Sequence, residues 1–302
     1  MDKVILGRTN LEVSVAGLGC GGFSRLGLGT GKDHSNAVSV VKTALQNDID
    51  FIDTAEAYKT ESAVGEGIKG FDRSKLVIST KFAYSRDFDG ELRSAKEFVE
   101  SLDASLKALQ TDYIDIYHLH AVRAKNYKQA LEMYYPEMEK ARDKGKIRFL
   151  GITELFHEDT THEMLNMSAK DLFDVVMIGY NILNPSAAKE LMPAYVKHNI
   201  GTLCMFAVRN AFSRPERLEE LLEPYGIKDL NWLVDEGYAS SMTEAAYRFC
   251  RYVQGMHVIL TGTGNTQHLL ENVKSINKPA LDGVAVERLM GIFADADGVS
   301  GQ

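Results

Sequence analysis

Residues 49–58 read IDFIDTAEAY, and the run changes character halfway. Ile49 to Ile52 has the apolar content of a buried strand, Asp53 ends it, and Tyr58 follows five residues later. Short apolar runs bounded by polar residues are typical of strands covered on both faces. Seven more recur along the chain: VSVAGLG (13–19), LVIST (76–80), YIDIYHLH (113–120), IRFLGI (147–152), FDVVMI (173–178), IGTLCMF (200–206) and MHVILTG (256–262).

Helical patterns fill the intervals, among them SNAVSVVKTALQN (35–47), SAKEFVESLDASLKAL (94–109), YKQALEMYYPEMEKARDKG (127–145) and SAAKELMPAYVKHN (186–199). In the second, Phe98, Leu102, Leu106 and Leu109 recur every three or four residues, which draws one apolar stripe along a helix. Gly145, after Arg142 and Lys144, reads as a helix stop. Strand then helix, eight times over, predicts an α/β fold of the (β/α)8 barrel type, because each helix supplies the crossover that parallel strands need. A doubly wound sheet competes, but its expected glycine motif, nearest to GLGCGGFSRLG (17–27), is not followed at once by helical periodicity. VILGRTNLEVS (4–14), with Thr9-Asn10 at its centre, predicts an N-terminal β-hairpin on the barrel floor. Residues 206–240 break the alternation after the seventh run and read as a long loop. Residues 1–302 are taken as a single domain of this kind.

The composition, 45% hydrophobic and 25% charged, suits a soluble globular chain. A net charge of −8 and a pI near 5.6 argue against a nucleic-acid or anionic-membrane partner, since both reward a basic face. Cys20, Cys204 and Cys250 are too widely spaced for a zinc site or a disulfide framework. No stretch approaches the roughly 18 apolar residues of a membrane helix, and the N-terminus lacks a secretory apolar region. A cytoplasmic protein acting on a small molecule is expected.

In such a barrel the active site forms at the C-terminal ends of the strands. The second run ends in Asp53 with Tyr58 beyond it, the third in Lys81, the fourth in His120. Singly, each has a structural explanation: a helix cap, a packed ring, a solvated cation, a strand-end histidine. Together they make an acid catalyst without a metal. Lys81 paired with Asp53 would set positive charge beside the Tyr58 hydroxyl, favouring its phenolate and lowering a pKa ordinarily near 10. His120 could orient a carbonyl oxygen.

IDFIDTAEAY with ESAVGEGIK, then STKF (79–82), TDYIDIYHLH (111–120), GKIRFLGIT (145–153) and GTGNTQHLLENV (262–273) resemble, in order, signature segments of the aldo-keto reductase superfamily. The resemblance implies a (β/α)8 barrel that interconverts aldehydes or ketones and alcohols, possible sugars included, with NADP or NAD. It also implies that Asp53, Tyr58, Lys81 and His120 are the catalytic tetrad, with Tyr58 the general acid. The cofactor contacts it implies are Asp53, Thr153, Met177, Met205, Phe206, Arg209, Gly262, Thr263, Gly264, Asn265, His268, Glu271 and Asn272. A glycine-containing turn into a helix at 260–273 independently suits a phosphate.

Departures from the family pattern carry information. Gly262 and His268 stand where NADP-preferring relatives carry lysine and arginine, so NAD becomes plausible, and Arg209, Arg214 or Arg217 could replace the missing cations. Thr153, Glu154 and Met177 stand where Ser, Asn and Gln hold the nicotinamide carboxamide, with Asn181 as a substitute. Ala121 and Val122 follow the histidine where many relatives have tryptophan, which opens one wall; Phe23, Tyr84 and Trp232 are candidate linings. Two other readings stay open: a cofactor-binding redox sensor with little turnover, and a metal-dependent hydrolase using the His118-Leu119-His120 pair.

Overall fold

The computed structural model describes residues 1–86, 91–189 and 191–302. Strands β1 (Lys3–Ile5) and β2 (Glu12–Ser14) pair antiparallel, with Asn10 left-handed at φ 55° in the turn between them. Eight parallel strands then close on themselves: β3 (Ala16–Gly19), β4 (Phe51–Asp53), β5 (Val77–Ala83), β6 (Ile114–Val122), β7 (Ile147–Glu154), β8 (Val175–Gly179), β9 (Gly201–Met205) and β10 (Val258–Thr261). The closing contact is between β10 and β3. The barrel and the hairpin expected from the sequence are therefore both present. The first apolar run is divided, its leading residues completing the hairpin and only Ala16 onward entering the barrel.

Helices α1 (His34–Gln46), α2 (Glu61–Gly67), α3 (Ala95–Leu109), α4 (Ala124–Asp143), α5 (Glu163–Met167) and α6 (Leu191–Lys197) lie between strands. Their starts follow local chemistry. Asp33 caps α1 by accepting from the Asn36 N–H, and Ser94 and Glu97 form a reciprocal capping box on α3. The left-handed Gly145 (φ 71°) follows α4, as its position after a basic last turn predicts.

The 206–240 segment differs from expectation. It holds α7 (Arg209–Ser213), α8 (Pro215–Leu222) and α9 (Trp232–Asp235) before the outer helix α10 (Met242–Arg251). Pro215 at the first turn of α8 and the buried Leu218 and Leu222 explain why this stretch is helical. Helix α11 (Thr266–Ile276) follows β10, and α12 (Gly283–Phe293) follows that.

Two apolar layers hold the barrel. The larger lies between strands and helices; the smaller fills the lower interior with Phe51, Val77, Ile116, Val175, Leu203 and Val258, and is plugged by Leu6 and Val13 around the hairpin. Above that plug the interior becomes polar. His118 is fully buried over Gly151, where a Cβ would lie 2.2 Å from its Nδ1, so the glycine makes room for the ring. This filling of the interior accounts for His118 without a metal.

Candidate active site

Asp53 is the last residue of β4, whereas Lys81 sits two residues inside the end of β5. The apolar run in the sequence stopped before Lys81, but the strand continues through Phe82 and Ala83. This burial within the wall leaves Lys81 with no exposed surface. Its Nζ donates to Asp53 Oδ2 and to the Thr54 carbonyl oxygen, both at 2.6 Å. Ser79, on the same face of β5 at the strand period of two, donates to Asp53 Oδ1 at 2.8 Å. Burial by itself would pull the Lys81 ammonium down; the Asp53 carboxylate and its neighbours more than offset this and hold its pKa above the usual lysine value.

Tyr58 enters from a short turn, Glu56–Tyr58, after β4. Its hydroxyl lies 3.3 Å from His120 Nε2, and Lys81 Nζ lies 4.8 Å from its ring centroid. His120 is aimed there by a break in β6: the register with β7 shifts between Leu119 and Val122, and Ala121 is left-handed at φ 53°. A left-handed alanine costs about 1–2 kcal/mol. The Thr153 hydroxyl offsets part of that cost by accepting the Ala121 N–H at 2.6 Å. Irregularities of this kind re-aim side chains beside active sites.

The electrostatics correct one expectation. Lys81 does favour the Tyr58 phenolate, but burial is the larger effect, and the tyrosine pKa is raised rather than lowered. His120 is pushed well below the usual imidazole range, first by burial and then by Lys81. Tyr58, which lines the cavity, is thus held as the neutral phenol with a neutral imidazole 3.3 Å from its hydroxyl.

A cavity of about 700 Å³ opens over Asp53 and Tyr58 and extends to the start of α11. Of the residues expected at a cofactor, Asp53, Met177, Met205, Phe206, Arg209, Gly262, Thr263, His268, Glu271 and Asn272 line it. Three do not. Thr153 is buried and engaged with Ala121. Asn265 caps α11, its Oδ1 accepting from the Gln267 and His268 N–H groups. Gly264 packs against Gly27, where a Cβ would come within 2.4 Å of backbone, and its carbonyl accepts from Lys32 and Asn36.

Other substitutes proposed from sequence are also engaged elsewhere. Asn181 is fully buried, donating to the Phe206 and Ser300 carbonyls and accepting from the Leu183 and Asn184 N–H groups. Glu154 pairs with His162 Nδ1 at 2.9 Å and accepts the Gly179 N–H, away from the cavity. Arg217 holds the Gln302 carbonyl and Glu220, while Arg214 lines the cavity from an exposed position. Phe23 is a lining residue, but Tyr84 is buried and Trp232 packs on Tyr238 and Arg288.

The sequence reading missed Ser79 and the glycine wall. Ser79 was detectable, two residues before Lys81 on one strand face. Gly19, Gly21 and Gly22 line the cavity, and a Cβ on Gly21 would lie 2.5 Å from the Tyr58 ring. The proximity of Gly21 to a residue 37 positions later exists only in three dimensions. Among the described residues, no group of three or more His, Cys, Asp or Glu could hold a metal ion.

Comparison with known proteins identifies the family. The profile of the aldo/keto reductase family matches residues 17–292. An L-galactose dehydrogenase of Arabidopsis thaliana is 31% identical over 206 residues, covering 66% of this chain and 62% of that protein, so the match spans less than two thirds of the plant enzyme. An uncharacterised oxidoreductase of Bacillus subtilis is 25% identical over 309 residues, covering 96% of this chain and 95% of its own. Among solved structures, the holo form of an aldo-keto reductase from Bacillus halodurans superposes with a TM-score of 0.75 at 25% identity, covering 97% and 96% of the two chains. An aldo/keto reductase from Klebsiella pneumoniae, solved with NADP and acetate, gives 0.69 at 19% identity over the same shares and attests the fold alone. The chain belongs to the aldo/keto reductase family.

Proposed function

We propose that this protein reversibly reduces a small aldehyde or ketone with a nicotinamide cofactor, Tyr58 serving as the general acid and Asp53, Lys81 and His120 completing the catalytic set. The observation that carries this reading is the neutral Tyr58 hydroxyl 3.3 Å from His120 Nε2 at the cavity, with the buried Lys81–Asp53 pair behind it. A carbonyl oxygen placed between the two donors would accept a hydrogen bond from each. Donors fixed in advance stabilise the negative charge that grows on such an oxygen.

The cavity suits a dinucleotide. Gly19, Gly21, Gly22 and Gly262 remove side chains from its wall, so the backbone can come close to a flat or anionic ligand. Met177 and Met205 offer apolar contact, Phe206 lies under the Arg209 guanidinium at the same wall, and Thr263, His268, Glu271 and Asn272 form the polar end beside α11. When bound, the nicotinamide supplies the hydride. The chain does the rest: it seats the carbonyl, holds Tyr58 protonated, and keeps Lys81 charged through Asp53 so that the Tyr58 oxygen can release its proton. Neither Gly262 nor His268 provides a permanent cation, and Glu271 accepts from Gln267 at 3.0 Å. With Glu271 beside the site and, among the described residues, only the exposed Arg214 and the Phe206-stacked Arg209 as cations on the same wall, NADH is expected to bind at least as tightly as NADPH.

A thermal-shift titration with NADH, NADPH, NAD and NADP, followed by turnover on an aldehyde panel, tests the reading. Stabilisation by a nucleotide with carbonyl turnover supports it. Stabilisation with negligible turnover on every carbonyl would make the protein a redox sensor instead.

The pH dependence of reduction has a definite form. A raised Tyr58 pKa keeps the acid protonated at and beyond its ordinary value, a lowered His120 pKa keeps the imidazole neutral, and a raised Lys81 pKa keeps the ammonium. The rate of reduction at saturating substrate should be level from about pH 6 to about pH 9, falling only above about pH 10. A break near pH 6.5 in the chemical step would assign the proton to His120 instead.

A further inference from the structure

Arg209 stands apart from the other arginines. Eight others are half-buried, Arg8, Arg73, Arg93, Arg217, Arg248 and Arg251 among them, and each meets a carboxylate. Arg209 is half-buried too, yet among the described residues it makes no ion pair and donates no hydrogen bond. Its guanidinium carbon lies 3.8 Å from the Phe206 ring centroid. Burial pushes its pKa down, which marks the charge as incompletely solvated.

The place of this cation is informative. Arg209 lines the same cavity as Tyr58, and its charge acts on the Tyr58 hydroxyl. Its Nη1 would lie 3.2 Å from a Cβ on Gly22, so the glycine leaves that side clear. Phe206 and Arg209 are both left-handed, at φ 70° and 43°. Strain of this kind persists where surrounding structure imposes it, and it clusters at ligand sites. In a chain of net charge −8, no acidic side chain among the described residues pairs with this fork of donors.

We propose that Arg209 binds a carboxylate carried by the carbonyl substrate, so that the enzyme prefers acidic aldehydes or ketones to neutral ones. This reassigns Arg209 from the cofactor's phosphates to the substrate, and it rests on the oxidoreductase reading above. Tyr58 holds the carbonyl end and Arg209 the acid end, with the bidentate geometry that guanidinium offers to a carboxylate. Two fixed points would orient the reacting carbon as well as select it.

Steady-state kinetics on the cofactor-saturated enzyme test this. The probes are glyoxylate, para-formylbenzoate and the neutral para-formylbenzamide, with benzoate as an inert carboxylate. Wild type should favour para-formylbenzoate over its amide, and Arg209→Met should raise KM for the acid at least about tenfold more than for the amide, a difference of about 1.4 kcal/mol. Arg209→Lys should restore the preference in part, since an ammonium keeps the charge but lacks the fork. Inhibition by benzoate should disappear in Arg209→Met. Equal handling of acid and amide by wild type, with no benzoate inhibition, overturns the inference while leaving the reductase reading intact. So does a parallel loss of both substrates in Arg209→Met that tracks a weaker NADH or NADPH Kd, which would place a cofactor phosphate on the arginine. If no aldehyde turns over, benzoate binding measured by thermal shift decides: dependence on Arg209 supports the carboxylate site even as the reductase reading falls, and its absence removes both.

Discussion

Tyr58→Phe is expected to lower carbonyl reduction by about 10²–10⁴-fold while leaving the protein folded and able to bind nucleotide. The substitution removes one oxygen. That oxygen makes a long 3.3 Å contact with His120 Nε2, so its loss should cost no more than about 1 kcal/mol of stability. The ring itself remains in place, with Gly21 against one edge and Lys81 Nζ 4.8 Å from its centroid. A general acid acts in the transition state, so the loss should appear in kcat, with the NADH or NADPH Kd changed by less than about twofold, well under 1 kcal/mol. Turnover within about tenfold of wild type would remove Tyr58 from the role, since general acid–base catalysis typically contributes more than that.

Lys81→Met should have the largest effect on stability. Lys81 has no exposed surface and Asp53 has 3%, and their oxygen–nitrogen distance is 2.6 Å. Removing the cation leaves a buried carboxylate with the Ser79 hydroxyl as its remaining side-chain partner. Breaking a buried pair in this way costs about 3–5 kcal/mol, a large part of a typical domain's stability. The sign with pH follows. An unpaired buried Asp53 would have a folded-state pKa above its unfolded value of about 3.9. Protonation then relieves the penalty, so the variant's deficit relative to wild type should shrink as pH falls toward the unfolded value and be full above the folded one. Urea denaturation at several pH values measures it. The double variant Asp53→Asn/Lys81→Met should regain much of the stability without regaining activity, because the amide carries no charge to strand. If Lys81→Met is as stable as wild type, the pair is not the buried ion pair its geometry implies. If the double variant recovers activity as well, Lys81 has no part in the chemistry.

The sequence made the architecture legible because the determinants of a barrel strand are local. IDFIDTAEAY shows an apolar segment and its polar end within ten residues, and the same grammar recurs at every strand. Strand ends were less legible. Phe82 and Ala83 extend β5 beyond Lys81, since polar residues inside a barrel interior interrupt an apolar pattern without interrupting the strand. The 206–240 stretch read as loop because its helices are short and separated by Arg214, Pro224 and Gly226, which obscure a 3.6-residue period.

Turn-forming residues on the cofactor side were ambiguous for a similar reason. Gly264 and Asn265 were singled out as ligand contacts by resemblance, and both are occupied in shaping the turn, one through its close approach to Gly27 and the other as the α11 cap. Glycine and asparagine serve turns and ligands alike, so their presence in a motif does not separate the two uses.

By itself the sequence determined the order of strands and helices, and placed an acid, a tyrosine, a lysine and a histidine near adjacent strand ends. The tertiary structure decided the direction in which the pKa values of those groups move. Lys81 lies close enough to favour the Tyr58 phenolate, as its place in the sequence suggested, yet burial reverses the outcome and keeps the phenol neutral. It also decided which half-buried arginine makes no ion pair among the described residues, for Arg209 resembles every other arginine until its surroundings are known. Hydrophobic periodicity is a property of neighbours along the chain, whereas desolvation sums over all atoms that exclude water, and those atoms come from β3, β4, β5, β6 and β9 together.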